Sequence, residues 1–406
     1  MATGTETETP AARLRAAMAP QADLRNVVEL LQYDQETVMP PAGAGARGEQ
    51  LATLNVLMHE TLTSPAVGEL IEAAAADAPD GDDAALVRVV RRDADKARRV
   101  PAELVKELTL AGSAGQEAWA KAREADDFAA FLPFLERNLE LRREYAACFD
   151  VAEPYDALLD DFEPGMLTAD VRTVFAPLRE QLPALVGAAA ERSPGQLHGR
   201  FPAAGQRRAV EALLRRVGFD ERSWRLDVST HPFTSSPGRG DTRITTRFGE
   251  ETLESVLSSL HEFGHGLYEA QVDPALARTP LGRGVSMAVH ESQSRLWEIF
   301  VGTSLPFWRG AYGELVEQLG EAPGGLDVEG FVAALGSVEP SLIRVDADPV
   351  SYPLHILLRF DLELALVSGD LAASDLPGAW RDGMQELLGI EVPSDRLGVL
   401  QDNHWS

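Results

Sequence analysis

Two histidines four residues apart, His261 and His265, stand in the stretch LSSLHEFGHGLYEA with Glu262 directly after the first. On a helix four residues rise about 6 Å, so both rings face the same way. They can then meet one ion at about 2.0–2.1 Å each. Glu262 is not on the ligand face, but it can reach a water on such an ion and act as a base. A catalytic zinc takes three protein ligands and leaves one position open. Glu269 lies about 12 Å along the axis from His261, too far to share an ion with both histidines. The third ligand is therefore sought in SMAVHESQSRLWEIF, where Glu291 leads and His290 and Glu298 are the alternatives. His290 lies about 100° around the helix from Glu291, so the two cannot serve one ion together.

These residues need two helices to hold them. From about Glu251 onward, Leu253, Val256, Leu257, Leu260, Phe263 and Leu267 make an apolar stripe, while Glu254, Ser258, His261, His265 and Tyr268 fall on another face. The connection RTPLGRGV leads to the second amphipathic helix. Upstream, SWRLDVSTHPF and TRITTRFG alternate like short strands joined by the glycine-rich turn TSSPGRGD, which predicts a small sheet beside the histidine pair. The first two hundred residues read as helices. AARLRAAMAPQADLRNVVELLQYDQETV, RGEQLATLNVLMHETLTSPAVGELIEAA and FAAFLPFLERNLELRREYAACF carry apolar residues at three- and four-residue spacings. The expected organisation is a disordered tail over 1–8, a helical lobe over 9–195 and a catalytic lobe over 196–406.

The chain has 406 residues and a formal net charge of -27, which argues against a nucleic-acid partner because phosphates would be repelled. No apolar run is long enough to cross a membrane, and the start MATGTETETPAARL lacks the basic and apolar parts of a signal peptide. Cys148 is the only cysteine, so neither a disulfide framework nor a thiolate metal cluster is available. A cytoplasmic protein is the expectation. His59, His198 and His404 stand alone and carry no assigned role.

HEFGH followed by HESQSRLWE resembles the carboxypeptidase Taq family of metallocarboxypeptidases. HPF at 231–233, DTRIT at 241–245, IRVDAD at 343–348 and GVLQ at 398–401 stand in the family's order, and LLQYDQETVMPP resembles its N-terminal motif. The resemblance implies a mostly α-helical saddle with a deep groove, similar to neurolysin and angiotensin-converting enzyme. It implies a homodimer that releases single amino acids from peptides with a free C-terminus, with broad specificity but poor action on terminal proline. It also implies one zinc per chain, replaceable by cobalt, held by His261, His265 and Glu291 with Glu262 as the catalytic base.

An exopeptidase must grip a carboxylate, and the planar fork of arginine suits this. Arg344 is the first candidate, and the family assigns the matching arginine this task; Arg243 is the second. His231, Tyr352 and His355 are candidate donors to the oxyanion. Gln401 belongs to the substrate side, where it is expected, with Asp346 and Asp348, to fix loops and arginines. An oligopeptidase and a catalytically impaired peptide- or metal-binding homologue are the alternatives. In the family GVLQDNHWS is followed by a further segment that lines the groove, so the expectation here is a surviving zinc site with weak or absent peptidase activity.

Overall fold

A computed structural model gives the structure of residues 8–77, 79–197, 199–401, 403 and 405. Residues 1–7 of the expected tail, His198 and His404 lie outside the described residues. Tertiary contacts divide the chain into two units: Met1–Leu110, Ser235–Thr242 and Leu267–Gly284 form one, and Ala111–Thr234, Arg243–Gly266 and Val285–Ser406 form the other. Among the described residues no helix is long and apolar enough to cross a membrane.

The first unit is built on α1 (Pro10–Thr37), α2 (Ala44–Thr63), α3 (Pro65–Ala76) and α4 (Gly81–Arg99). Thr9 caps α1 by accepting from the Ala12 N–H, and Pro10 opens the first turn, where no backbone donor is needed. The segment RGEQ…IEAA, expected as one helix, breaks at Ser64–Pro65. Ser64 accepts from the Val67 N–H, and Pro65, with no N–H to give, starts a new helix. Leu14, Met18, Ile71, Leu86 and Val90 form the core between these helices. His59 has a structural place: its Nε2 lies 2.9 Å from the Ala97 carbonyl and 2.8 Å from that of Val100, at the end of α4. Arg25, Glu29, Asp93, Glu269 and Arg283 form a charge cluster in the same unit. Burial, then Arg283, pushes Arg25 down to about 10. Burial likewise pushes the Glu29 and Asp93 carboxyls up, with Glu269 adding to the push on Glu29.

Continuing along the chain come α5 (Ala102–Ala125), α6 (Phe128–Ala147), α7 (Pro154–Leu159), α8 (Thr168–Ala190) and α9 (Ala203–Val217). Strands β1 (Trp224–Val228), β2 (Thr234–Gly238) and β3 (Asp241–Thr246) precede α10 (Glu254–Ala270), α11 (Met287–Arg295), α12 (Leu305–Leu319), α13 (Val328–Leu335), α14 (Tyr352–Ser368) and α15 (Leu376–Leu388). In the second unit α14 packs against α15 and α8, and α9 packs against α12. Trp119, Phe131, Leu354, Leu358, Trp380 and Trp405 lie in one core. Two buried indole nitrogens of this core are satisfied by backbone: Trp119 donates to Leu400 and Trp405 to Val399.

The sheet has one strand more than the sequence suggests. TSSPGRGD is not all turn: Thr234–Gly238 forms β2, and only Arg239 and Gly240 connect it to β3, with Gly240 at φ 79. The order β1-β3-β2 puts β2 at an edge. An edge strand tolerates Pro237 because one row of its backbone groups needs no partner.

Candidate metal centre

The histidine helix begins at Glu254, three residues later than its periodicity suggests, and its apolar stripe is buried as expected at Val256, Leu260 and Phe263. Phe263 stacks on Trp224 of β1 and meets Trp297 edge-on, with ring centroids 5.2 and 4.9 Å away. These contacts fix the rotation of α10 and turn the His261 and His265 rings to the other side, their centroids 4.9 Å apart. The second helix, α11, passes into a π-helical turn over Leu296–Val301, a form that recurs near functional sites.

One donor atom each from His261, His265 and Glu291 can be chosen within 4.8 Å of one another. Glu291 Oε2 lies 3.3 Å from His265 Nε2 and 3.6 Å from His261 Nε2. Tetrahedral ligands at about 2.0–2.1 Å from a zinc ion stand about 3.3–3.4 Å apart. The donor set and its spacing therefore fit that ion. The side chains are 20%, 14% and 40% exposed for His261, His265 and Glu291, partly buried but open enough for a substrate to approach.

The rear of each ring is occupied. His261 Nδ1 donates to Glu298 Oε2 at 2.7 Å, which leaves Nε2 as the nitrogen with a lone pair. His265 Nδ1 lies 2.6 Å from His290 Nδ1. Arg295 donates through Nε to Glu291 Oε1 and through Nη1 to Glu298 Oε2, at 2.8 and 2.9 Å. Ser294 Oγ is 3.0 Å from Glu291 Oε2. Burial opposes ionisation of both His261 and Glu291, yet their partners win. The Glu298 hydrogen bond and the carboxylates of Glu262, Glu298 and Glu291 raise His261. The two histidines and Arg295 hold Glu291 far below the usual carboxylate range.

Glu262 is 5% exposed, and its carboxylate lies close enough to His261 to help raise it. Thr234, at the start of β2, lies with its hydroxyl 2.7 Å from Glu262 Oε2 and 2.9 Å from the Glu262 carbonyl. The sheet thus holds the helix at the residue beside the first histidine.

Arg344 is buried in a short 3-10 turn, and its Nη1 donates to the Tyr352 hydroxyl at 2.9 Å. The Arg295 guanidinium lies 3.9 Å from the centre of the same Tyr352 ring. A continuous path therefore runs from Glu291 through Arg295 and Tyr352 to Arg344. Gln401 accepts from the Arg344 N–H at 2.7 Å and donates to the carbonyls of Leu342 and Gly398. Asp348 accepts from the N–H groups of Val350 and Ser351 at the start of α14. Arg243 is half-buried on β3, His231 has Nδ1 2.9 Å from the Pro232 carbonyl, and His355 is wholly buried in α14.

Three contacts here escape the sequence reading. Arg295 stands four residues after Glu291, a helical pairing distance that could have found it. Thr234 gave no signal, because it reaches Glu262 from another element. Arg247 pairs with both Glu254 and Asp346, at 2.6 and 3.0 Å, and burial together with Asp346 pushes Glu254 up to about 7.

A family model described as carboxypeptidase Taq (M32) metallopeptidase matches residues 13–406. Thermostable carboxypeptidase 1 of Thermus thermophilus is 38% identical, over 96% of this chain and 82% of its own length. Carboxypeptidase 1 of Bacillus subtilis is 34% identical, over 93% of this chain and 77% of its own. The crystal structure of M32 carboxypeptidase from Deinococcus radiodurans R1 superposes with a TM-score of 0.87 at 38% identity, covering 97% of this chain and 80% of that one.

Proposed function

The chain belongs to the carboxypeptidase Taq (M32) metallopeptidase family, and from that membership we propose that it removes single residues from the free C-termini of peptides. His261, His265 and Glu291 would hold a zinc ion, with cobalt as a substitute, and Glu262 would serve as the base. A bound divalent metal of this kind lowers the pKa of water towards ~7 and polarises the scissile carbonyl. Glu262 takes the proton of the attacking water and returns it to the leaving amine. Glu298 and His290 hold the two imidazoles in the tautomer that presents Nε2. Arg295 holds Glu291 Oε1, and Oε2, steadied by Ser294 Oγ, is the oxygen that faces the two Nε2 atoms.

The observation that carries the reading is the convergence of three donor atoms beside Glu262. The path through Arg295 and Tyr352 to Arg344 favours an exopeptidase over an oligopeptidase, because it links that centre to a buried arginine suited to a terminal carboxylate. The test is to incubate zinc-loaded protein with matched free-acid and amidated peptides and to read the products by mass spectrometry. Stepwise loss of one residue from the free acids alone is the expected result. Internal fragments would make it an oligopeptidase, and no cleavage would leave a binding protein.

A further inference from the structure

A Cβ placed on Gly264 would lie 2.5 Å from the Gln293 carbonyl oxygen and 2.6 Å from Ser294 Cα. Both are backbone atoms, so no side-chain rotation makes room. Gly264 lies between His261 and His265 in sequence, about 60° and 100° around the helix from them; Gln293 and Ser294 follow Glu291 on the facing helix. The two helices therefore touch backbone to backbone where the three donors converge. Side chains normally hold helix axes about 8–10 Å apart, and a glycine is the residue that permits closer approach.

Resting on the ligand set proposed above, we propose that Gly264 is a positioning residue for the metal: its missing Cβ sets the spacing of α10 and α11 at which Glu291 completes the site. Carbon atoms in ordinary contact stand about 3.5–4.0 Å apart, so an alanine here must part the backbones by about 1 Å. The gaps of 3.3 and 3.6 Å between Glu291 Oε2 and the two Nε2 atoms would open accordingly. Those gaps then exceed what one ion at about 2.0–2.1 Å from each donor can bridge.

The experiment uses the full chain and zinc alone, with affinity measured by competition against a chromophoric chelator. The visible spectrum of the cobalt form reports coordination, and thermal unfolding of the metal-free protein reports the fold. Gly264→Ala should bind zinc about 10–100-fold more weakly, the range seen when supporting contacts of a metal site are lost. Its cobalt spectrum should change in shape and intensity. Gly313→Ala is the control, an exposed glycine of α12 with nothing near its missing Cβ, and should match the wild type. A folded Gly264→Ala protein with wild-type zinc affinity and an unchanged cobalt spectrum would overturn the proposal. Glu291→Asp provides a second test that leaves the helix contact intact and shortens the ligand by about one bond length. It too should lose at least tenfold in affinity, and wild-type affinity there would mean that the spacing does not matter. His265→Ala separates this proposal from the one beneath it, because zinc binding that survives that change refutes the ligand set itself.

Discussion

Two regions of the protein gather several charged side chains together, and their electrostatics run in opposite senses. In the first unit burial decides: Glu29 and Asp93 are raised and Arg25 is lowered, each towards its neutral form. Around the histidine pair the partners decide, so Glu291 is held low and His261 is raised although burial opposes both. The contrast separates charges that a fold tolerates from charges that a fold holds ready. In the first cluster each ionised group is a cost set against packing. In the second, every acidic and basic group has an aimed partner, and the concentrated negative charge suits a cation.

The contrast is broken most directly at the pair itself. His265→Ala should lose bound zinc and turnover together. Glu262→Gln should keep about one zinc per chain while turnover falls by roughly 10²–10⁴-fold, the usual size of a general acid–base contribution. Elemental analysis beside a peptide assay decides it, and a metal-free Gln variant would mean that the two residues do not divide the work as proposed. Next in size, Arg344→Ala should lower kcat/KM on free-acid peptides by roughly thirty- to a few thousandfold, because truncating a buried charge partner costs about 2–5 kcal/mol. Arg344→Lys should restore only part of this, lacking the fork. An equal proportional loss on amidated peptides would make Arg344 a structural residue.

A smaller effect sharpens the electrostatic side of the contrast. In the metal-free protein the raised His261 adds stability that is fully present below its ordinary value of 6.5 and is lost as pH rises through its raised value. Metal needs the neutral ring, so protons compete with it. The rise in Tm produced by saturating zinc should therefore grow from about pH 6 to about pH 8. A pH-independent rise would remove His261 from the ligand set.

The smallest effect is expected in the first unit. The raised Glu29 adds stability below its ordinary value of 4.5, and that contribution is lost as pH rises through its raised value. Glu29→Gln should therefore show no fall in Tm at pH 8, and any advantage it has there should vanish as the pH drops into the ordinary carboxylate range. Zinc content should be unchanged. A clear loss of stability at pH 8 would mean that pairing, not burial, dominates this cluster too.

The histidine pair was legible because a helix turns a four-residue spacing into a shared face. The third position was legible only as a choice among Glu291, His290 and Glu298. All three prove to surround the pair: Glu291 near the Nε2 atoms, the other two behind the Nδ1 atoms. An imidazole has two nitrogens on opposite sides, so a residue turned away from the ion can still meet the ring, which the helical angle alone does not reveal. Pattern failed for β2 because serine, proline and glycine signal a turn, whereas an edge strand accepts them. It failed at Ser64–Pro65 because an apolar repeat continues across a break that only the capping residues mark. Thr234 and Arg247 reach their partners across elements, and no spacing within a single segment encodes that.

Thr234 has one hydroxyl proton and two acceptors, the carbonyl and the carboxylate of the same residue, Glu262. While the carboxylate is ionised, the hydroxyl can point at it. Once the carboxylate has taken a proton, the hydroxyl can turn to the carbonyl without moving a heavy atom. Neither state strands a buried donor, which would cost about 1–3 kcal/mol. With Glu262 as the proposed base, a rotation of one hydrogen would keep pace with each turnover, and replacing Thr234 by valine would remove a part that moves rather than a part that merely holds.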